Sequence, residues 1–205
     1  MALIQLKNVS ISRGDREVVQ NFSAELQPGM ITAIIGPNGS GKSSLIAALA
    51  GDLPIKNGTI EVDGRSLSEF SVSEQAAMRS VVQQVRNYWL SYTAREVIEM
   101  GQPESALARV ESVMKALHIS DYANQKVTTL SGGEAQRIEI ARALVRDCDI
   151  YLLDEPLSAQ DSASKERIIG LLQQLKREGK TVVVVAHINR DSLSWCDKVI
   201  DTLAK

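Results

Sequence analysis

The eight residues Gly36-Pro37-Asn38-Gly39-Ser40-Gly41-Lys42-Ser43 constrain this 205-residue chain more than any other stretch. They fit G-x-x-x-x-G-K-[ST] without a gap. Glycines let backbone N–H groups curl around an anion, because no side chain blocks the approach. Met30 to Ile35 ahead of the loop is a short apolar run, the kind that forms a buried strand. Lys42 to Ala50 behind it is alanine-rich and predicts a helix that Gly51 closes. The positive end of that helix then faces the same anion. Lys42 is placed to neutralise β and γ phosphates, and the Ser43 hydroxyl to ligate Mg²⁺. The expected ligand is a nucleoside triphosphate.

The rest of the chain supplies a setting for such a loop. Residues 2 to 27 alternate apolar and polar, which predicts antiparallel strands, and Pro28-Gly29 reads as a turn. Thr59 to Val62 followed by Asp63-Gly64 reads as a strand entering a turn. Residues 70 to 147 read mostly as helix, with candidate capping boxes at Thr93/Glu96 and Ser131/Glu134 and helical spacing from Glu104 to His118. Ile150 to Leu153 and the valine-rich Thr181 to Ala186 read as further buried strands, with a helix over Asp161 to Arg177 between them. Three buried strands, each followed by a loop and helix, predict an α/β fold with a mostly parallel sheet covered on both faces.

Asp154 and Glu155 end the second buried strand. Acids there are costly unless paired or bound to a cation. One reading gives Asp154 to Mg²⁺ and lets Glu155 orient and deprotonate an attacking water. The other is an acidic turn before Pro156. His187, after Val182 to Ala186, either contacts a γ-phosphate or serves structure, and nothing local singles out Gln84. In Leu130-Ser131-Gly132-Gly133-Glu134, Ser131 reads as an N-cap. Capping does not explain the paired glycines, which expose bare N–H groups at a helix start and make a second anion site.

Composition narrows the partners. The net charge is −2, and no basic run is interleaved with aromatics, so no nucleic-acid partner is expected. Cys148 and Cys196 are too few for a disulfide scaffold and read as packed, reduced thiols. No segment approaches the roughly 18 uninterrupted apolar residues of a membrane span, and Met1 to Lys7 lacks a leader's apolar stretch. Any membrane role is expected to come through a partner.

Taken together, these motifs resemble the ATPase subunit of ATP-binding cassette (ABC) transporters over nearly the whole length, in the family's order. Gly36–Ser43 matches Walker A, Leu130–Glu134 the LSGGE signature, Ile150–Glu155 Walker B, and Ser158-Ala159-Gln160-Asp161 the D-loop. Gln84 falls at the Q-loop glutamine and His187 at the switch histidine. The resemblance implies a P-loop NTPase core with an N-terminal antiparallel β subdomain and an inserted helical subdomain. The core would comprise 1–69 and 148–205, and the helical part about 70–147. It implies ATP and Mg²⁺ as cofactors, with Ser43, Gln84 and Asp154 at the metal. Gly36 to Ser43, Ser44, Arg13 and Asp161 would meet nucleotide, and Glu155, His187 and Gln84 would serve hydrolysis. It also implies a head-to-tail dimer of ATPase subunits, by default a homodimer. In that dimer Ser131, Gly132 and Gly133 would act on the partner's γ-phosphate. Transmembrane permease subunits, and for an importer a substrate-binding protein, would complete the assembly on the cytoplasmic face of the membrane.

Three departures qualify the match. Arg13 precedes Gly14 where the family has an aromatic that stacks on adenine; its guanidinium either stacks likewise or is solvated. Gln160 replaces the usual D-loop leucine, with a mild effect expected on protomer contact. Asp161 also reads as a helix N-cap. The chain stops at Lys205, soon after a strand predicted over Lys198 to Leu203, so no regulatory domain is expected. Ser73 to Arg79 and Thr93 to Gly101 look like importers of iron–siderophore, haem and cobalamin, although Gln102-Pro103 leads straight into a helix where those relatives carry an insertion. The alternative is a soluble cassette ATPase acting on nucleic acid or ribosomes.

Overall fold

The structure is a computed structural model that describes residues 2–83, 91–186 and 190–202. Gln84 and His187 lie outside the described residues. The N-terminal alternation becomes a long hairpin of β1 (Ile4–Arg13) and β2 (Arg16–Leu26). β4 (Asn57–Val62) and β5 (Arg65–Ser66) extend it to a four-stranded antiparallel sheet ordered β2-β1-β4-β5.

The second sheet is parallel and five-stranded, ordered β6-β7-β8-β3-β9. Its central members are the three apolar runs: β3 (Ile31–Ile35), β7 (Ile150–Asp154) and β8 (Thr181–Val185). β7 and β8 are buried along their whole length, as continuous apolar strands must be when both faces are covered. β9 (Lys198–Asp201) forms one edge.

The two-residue period of a strand divides the core. Val183, Val185, Ile150 and Leu152 point to one side, where α1 (Lys42–Leu49) is packed between the two sheets against Ile4, Leu6 and Ile60. Val182, Val184, Tyr151 and Leu153 point to the other. There they meet Ile168 and Leu172 of α7 (Ser162–Arg177) and the apolar faces of the inserted helices. The latter are α3 (Ala94–Glu99), α4 (Glu104–Leu107), α5 (Val110–Ala116) and α6 (Gly132–Val145). The capping boxes at Thr93/Glu96 and Ser131/Glu134 both form.

Two local expectations need correction. Residues 70 to 147 are not helical throughout. α2 (Val72–Met78), started by a third capping box at Ser71/Glu74, runs into β6 (Arg79–Val82). β6 pairs in parallel with Ile150 to Leu153 at the other edge of the sheet. The β-branched pair Val81-Val82 supports a strand once β7 offers an open ladder, and that tertiary pairing outweighs helical context. The helical spacing from Glu104 to His118 is interrupted at Ala108-Arg109 by a tight turn, in which Arg109 N–H donates to Ala106. It ends with His118 at φ 53°, a left-handed residue that halts a helix.

Candidate functional site

The phosphate loop leaves the carboxyl end of β3 and enters α1, where open α/β sheets bind their ligands. Its shape depends on Gly41, which starts α1 with φ 88°. A Cβ there would lie 2.5 Å from Val19 Cγ2 and 2.6 Å from the Val18 carbonyl, so β2 holds the loop at its glycine. Ser40 N–H donates to the Pro37 carbonyl at 3.2 Å, closing the turn. The Lys42 ammonium donates to the Gly36 and Pro37 carbonyls at 2.8 Å each.

Lys42 is only 3% exposed. Burial lowers its pKa, while the nearby carboxylates of Glu155 and Asp154 oppose the shift by favouring the charged ammonium. The cation and the two acids named from sequence thus share one electrostatic neighbourhood. Asp154 is the last residue of β7, 4% exposed and paired in register with Val185. Glu155 follows at φ 52°, with its N–H donating to the Val185 carbonyl at 3.1 Å. This left-handed step turns the chain sharply out of the strand.

A cleft of about 590 Å³ is lined by Arg13, Val18, Asn38, Gly39, Gly41, Lys42, Ser43, Ser44 and Glu155. Seven of the residues expected to contact nucleotide therefore line the same opening as Glu155. Arg13 stands exposed at the end of β1, and its Nε donates to Ser44 Oγ at 3.3 Å. Oxygen donors on Ser43 and Asp154 suit a hard cation such as Mg²⁺, which keeps several waters and is completed by phosphate oxygens.

Ser131, Gly132 and Gly133 do not line this cleft. They begin α6, where Ser131 Oγ and Glu134 Oε2 cap each other's backbone N–H at 3.3 and 2.8 Å. The Glu134 carboxyl is held below its ordinary range by the Ser131 hydroxyl, then by the Ser131 N–H and by Tyr122. Ser131 and Gly132 are exposed. Asp161 caps α7, accepting from Ser164 N–H at 2.8 Å and Ser164 Oγ at 3.0 Å; those bonds lower its pKa. One chain thus gathers the phosphate loop, Arg13 and the β7 acids, and presents the signature residues on a separate surface.

Sequence reasoning missed a group of residues that joins these two surfaces. Gln136 Nε2 donates to the Glu155 carbonyl at 2.7 Å, and Gln160 Nε2 donates to Gln136 Oε1 at 2.8 Å. No local pattern marks Gln136, and Gln160 stands out only as a departure from the D-loop leucine; the tertiary fold brings them together.

The ABC transporter family model matches residues 19–158. The hemin import ATP-binding protein HmuV of Rhodococcus jostii (strain RHA1) is 34% identical, over 96% of this chain and 70% of that protein. The manganese transport system ATP-binding protein MntB of Bacillus subtilis (strain 168) is 33% identical, over 96% and 82%. A solved ATP-binding subunit of an ABC transporter superposes with a TM-score of 0.87 at 20% identity, covering 97% of this chain and 85% of that one, which bears on the fold alone. A bacterial Atm1-family ABC exporter with ATP bound gives a TM-score of 0.86 at 26% identity, but this chain spans only 36% of that one. The parallel five-stranded sheet, the antiparallel sheet and the matched phosphate loop agree with these likenesses. The chain belongs to the ABC transporter family, as an ATP-binding subunit whose activity is ATP hydrolysis coupled to transport.

Proposed function

We propose that the chain is the motor of an importer, closing head to tail with a second ATPase subunit around two ATP molecules. The observation that carries this reading is the split of the anion-binding residues. Asn38, Gly39 and Gly41 to Ser44 line the cleft, and Ser131 to Gly133 start a helix on another surface. Each half is built to meet phosphate, and a second copy supplies the missing half of each site.

In this reading Gly36 to Ser43 and Ser44 wrap the phosphates through backbone N–H groups and hydroxyls, and Lys42 balances the β and γ charge. Ser43, Asp154 and Gln84 would hold Mg²⁺, whose chemistry there would be to neutralise charge on the transferred phosphoryl group. Arg13 lies over the base. The partner's signature residues complete the γ-phosphate site, and Asp161 lies near the shared interface. Glu155 orients water and takes its proton as the water oxygen attacks the γ-phosphorus and ADP leaves. His187 holds the γ-phosphate side of that arrangement. Hydrolysis then replaces shared contacts with separated products, and the dimer reopens.

The helical part within about 70–147 would receive a permease subunit, placing the chain on the cytoplasmic face of a membrane. Among the described residues no helix is long and apolar enough to cross one. The hemin, zinc and manganese import names of relatives favour an importer, paired with a substrate-binding protein, over action on nucleic acid. The hemin names favour cargo of the iron–siderophore, haem or cobalamin class.

Glu155→Gln tests the assignment. With Mg²⁺ and ATP the variant is expected to run as a stable dimer on gel filtration and to lose turnover. A monomer that hydrolyses ATP at the wild-type rate would sink the reading.

A further inference from the structure

Gln160 stands where the family pattern has leucine, and its side chain is 7% exposed. A buried amide must find partners, and this one does. Its Nε2 donates to the Gly133 carbonyl at 3.0 Å and to Gln136 Oε1 at 2.8 Å, using both N–H groups. Its Oε1 accepts from Arg137 Nη1 at 3.1 Å. All three partners belong to the first turns of α6, directly behind Ser131 and Gly132.

The same group reaches the acid strand. Gln136 Nε2 also donates to the Glu155 carbonyl at 2.7 Å and to Ser158 Oγ at 3.1 Å. Ser158 Oγ returns to the Glu155 carbonyl at 2.8 Å. Arg137 Nη1 donates to Ser164 Oγ at 3.3 Å, and Ser164 is the residue capped by Asp161. The backbones are pressed together as well. A Cβ on Gly133 would lie 2.7 Å from the Ala159 carbonyl, and Ala159 is itself at φ 55°. Gly133 is therefore needed for close approach to the loop after Glu155, apart from any anion it meets.

We infer that Gln160 is a positioning residue that fastens the Ser131–Gly133 turn to the loop carrying Glu155, so that the two move as one body. A leucine there would fill similar space but could make none of the three hydrogen bonds. It would leave Gln136 Oε1 without the Gln160 donor and remove the side-chain bond to the Gly133 carbonyl, both in a part-buried setting. Resting on the ATPase reading above, the consequence is that the signature surface one chain offers its partner is registered to that chain's own catalytic loop. Contact at one nucleotide site then bears directly on the geometry of the other.

The test compares wild-type, Gln160→Leu and Gln160→Glu full-length chains. The glutamate variant keeps the length and the Arg137 contact but loses both donors. In each variant kcat for ATP is expected to fall about tenfold with KM within about twofold. Amide hydrogen exchange at Gly132 to Gln136 is expected to quicken about tenfold, with Lys42 to Leu49 unchanged. Unchanged exchange there, or quickened exchange with unchanged kcat, overturns the inference. If Gln160→Leu does not fold, Gln160→Glu carries both readouts. Absence of ATP turnover in the wild-type chain would defeat the ATPase reading instead, while the exchange measurement still decides whether Gln160 fastens the turn.

Discussion

Gly41 lies so close to Val19 that a single added carbon would fall 2.5 Å from the valine Cγ2. The antiparallel sheet thus has a direct part in shaping the phosphate loop. Gly41→Ala must either leave φ 88° or push β2 away. The left-handed backbone alone costs about 1–2 kcal/mol. The expected outcome is a lower thermal midpoint and at least about a tenfold loss of nucleotide affinity, read by fluorescent ATP binding. Wild-type affinity in Gly41→Ala would show that the loop tolerates another path.

Arg13 gives a milder prediction. It is exposed and tethered by one bond to Ser44, so any stacking on the base is worth about 0.5–1 kcal/mol. Arg13→Ala should therefore raise KM for ATP about two- to fivefold with little change in kcat. Arg13→Tyr should restore it, because an aromatic ring supplies the same face. If Arg13→Ala leaves KM alone, the guanidinium is a solvated group and base selectivity lies elsewhere.

The core predicts the largest stability effect. Leu152 is fully buried in the cluster shared by β7, α1 and the antiparallel sheet. Leu152→Ala should cost about 2–5 kcal/mol in urea unfolding, from lost transfer energy and the cavity left behind. A cost under about 1 kcal/mol would mean that the sheet and α1 collapse onto the gap.

These effects also show where the sequence was informative. The phosphate loop, Asp154 and Glu155 were legible because each motif is contiguous and follows a run of apolar residues. β3, β7 and β8 were legible for the same reason: burial on both faces leaves an unbroken apolar stretch. β6 was not, because only Val81 and Val82 mark it, its first two residues are Arg79 and Ser80, and a capped helix runs straight into it. The Gln160–Gln136–Glu155 connection was hidden for a different reason. The D-loop position marked Gln160 but not what it bonds to, and Gln136 meets it across 24 residues of sequence. The paired signature glycines were read as an anion site alone; the contact of Gly133 with Ala159 adds a packing role.

Glu134 links stability to pH. Its folded pKa is lowered, first by the Ser131 hydroxyl and then by the Ser131 N–H and Tyr122. A lowered carboxylate pKa stabilises the fold above the unfolded value, near 4.5, and that contribution is lost as pH falls through the folded value. Wild-type should therefore exceed Glu134→Gln in urea midpoint at pH 7, with the gap closing below about pH 4.5. A gap that persists at pH 3 would assign the difference to shape and not to charge.

On the proposed function, Asp154 separates metal binding from nucleotide binding. Its carboxylate is buried at the end of β7, close enough to Lys42 to favour the ammonium. Asp154→Asn keeps the shape and the strand pairing with Val185 but removes the charge a divalent cation needs. ATP binding in EDTA should change little, because on that reading the backbone of Gly36 to Ser43 holds the phosphates. The Mg²⁺ concentration giving half-maximal hydrolysis should rise about 10–100-fold, as when groups that hold or orient a metal are lost. The two titrations are independent readings on one protein preparation. A variant that loses ATP affinity in EDTA while keeping the wild-type Mg²⁺ midpoint would place Asp154 in loop support and remove it from the metal.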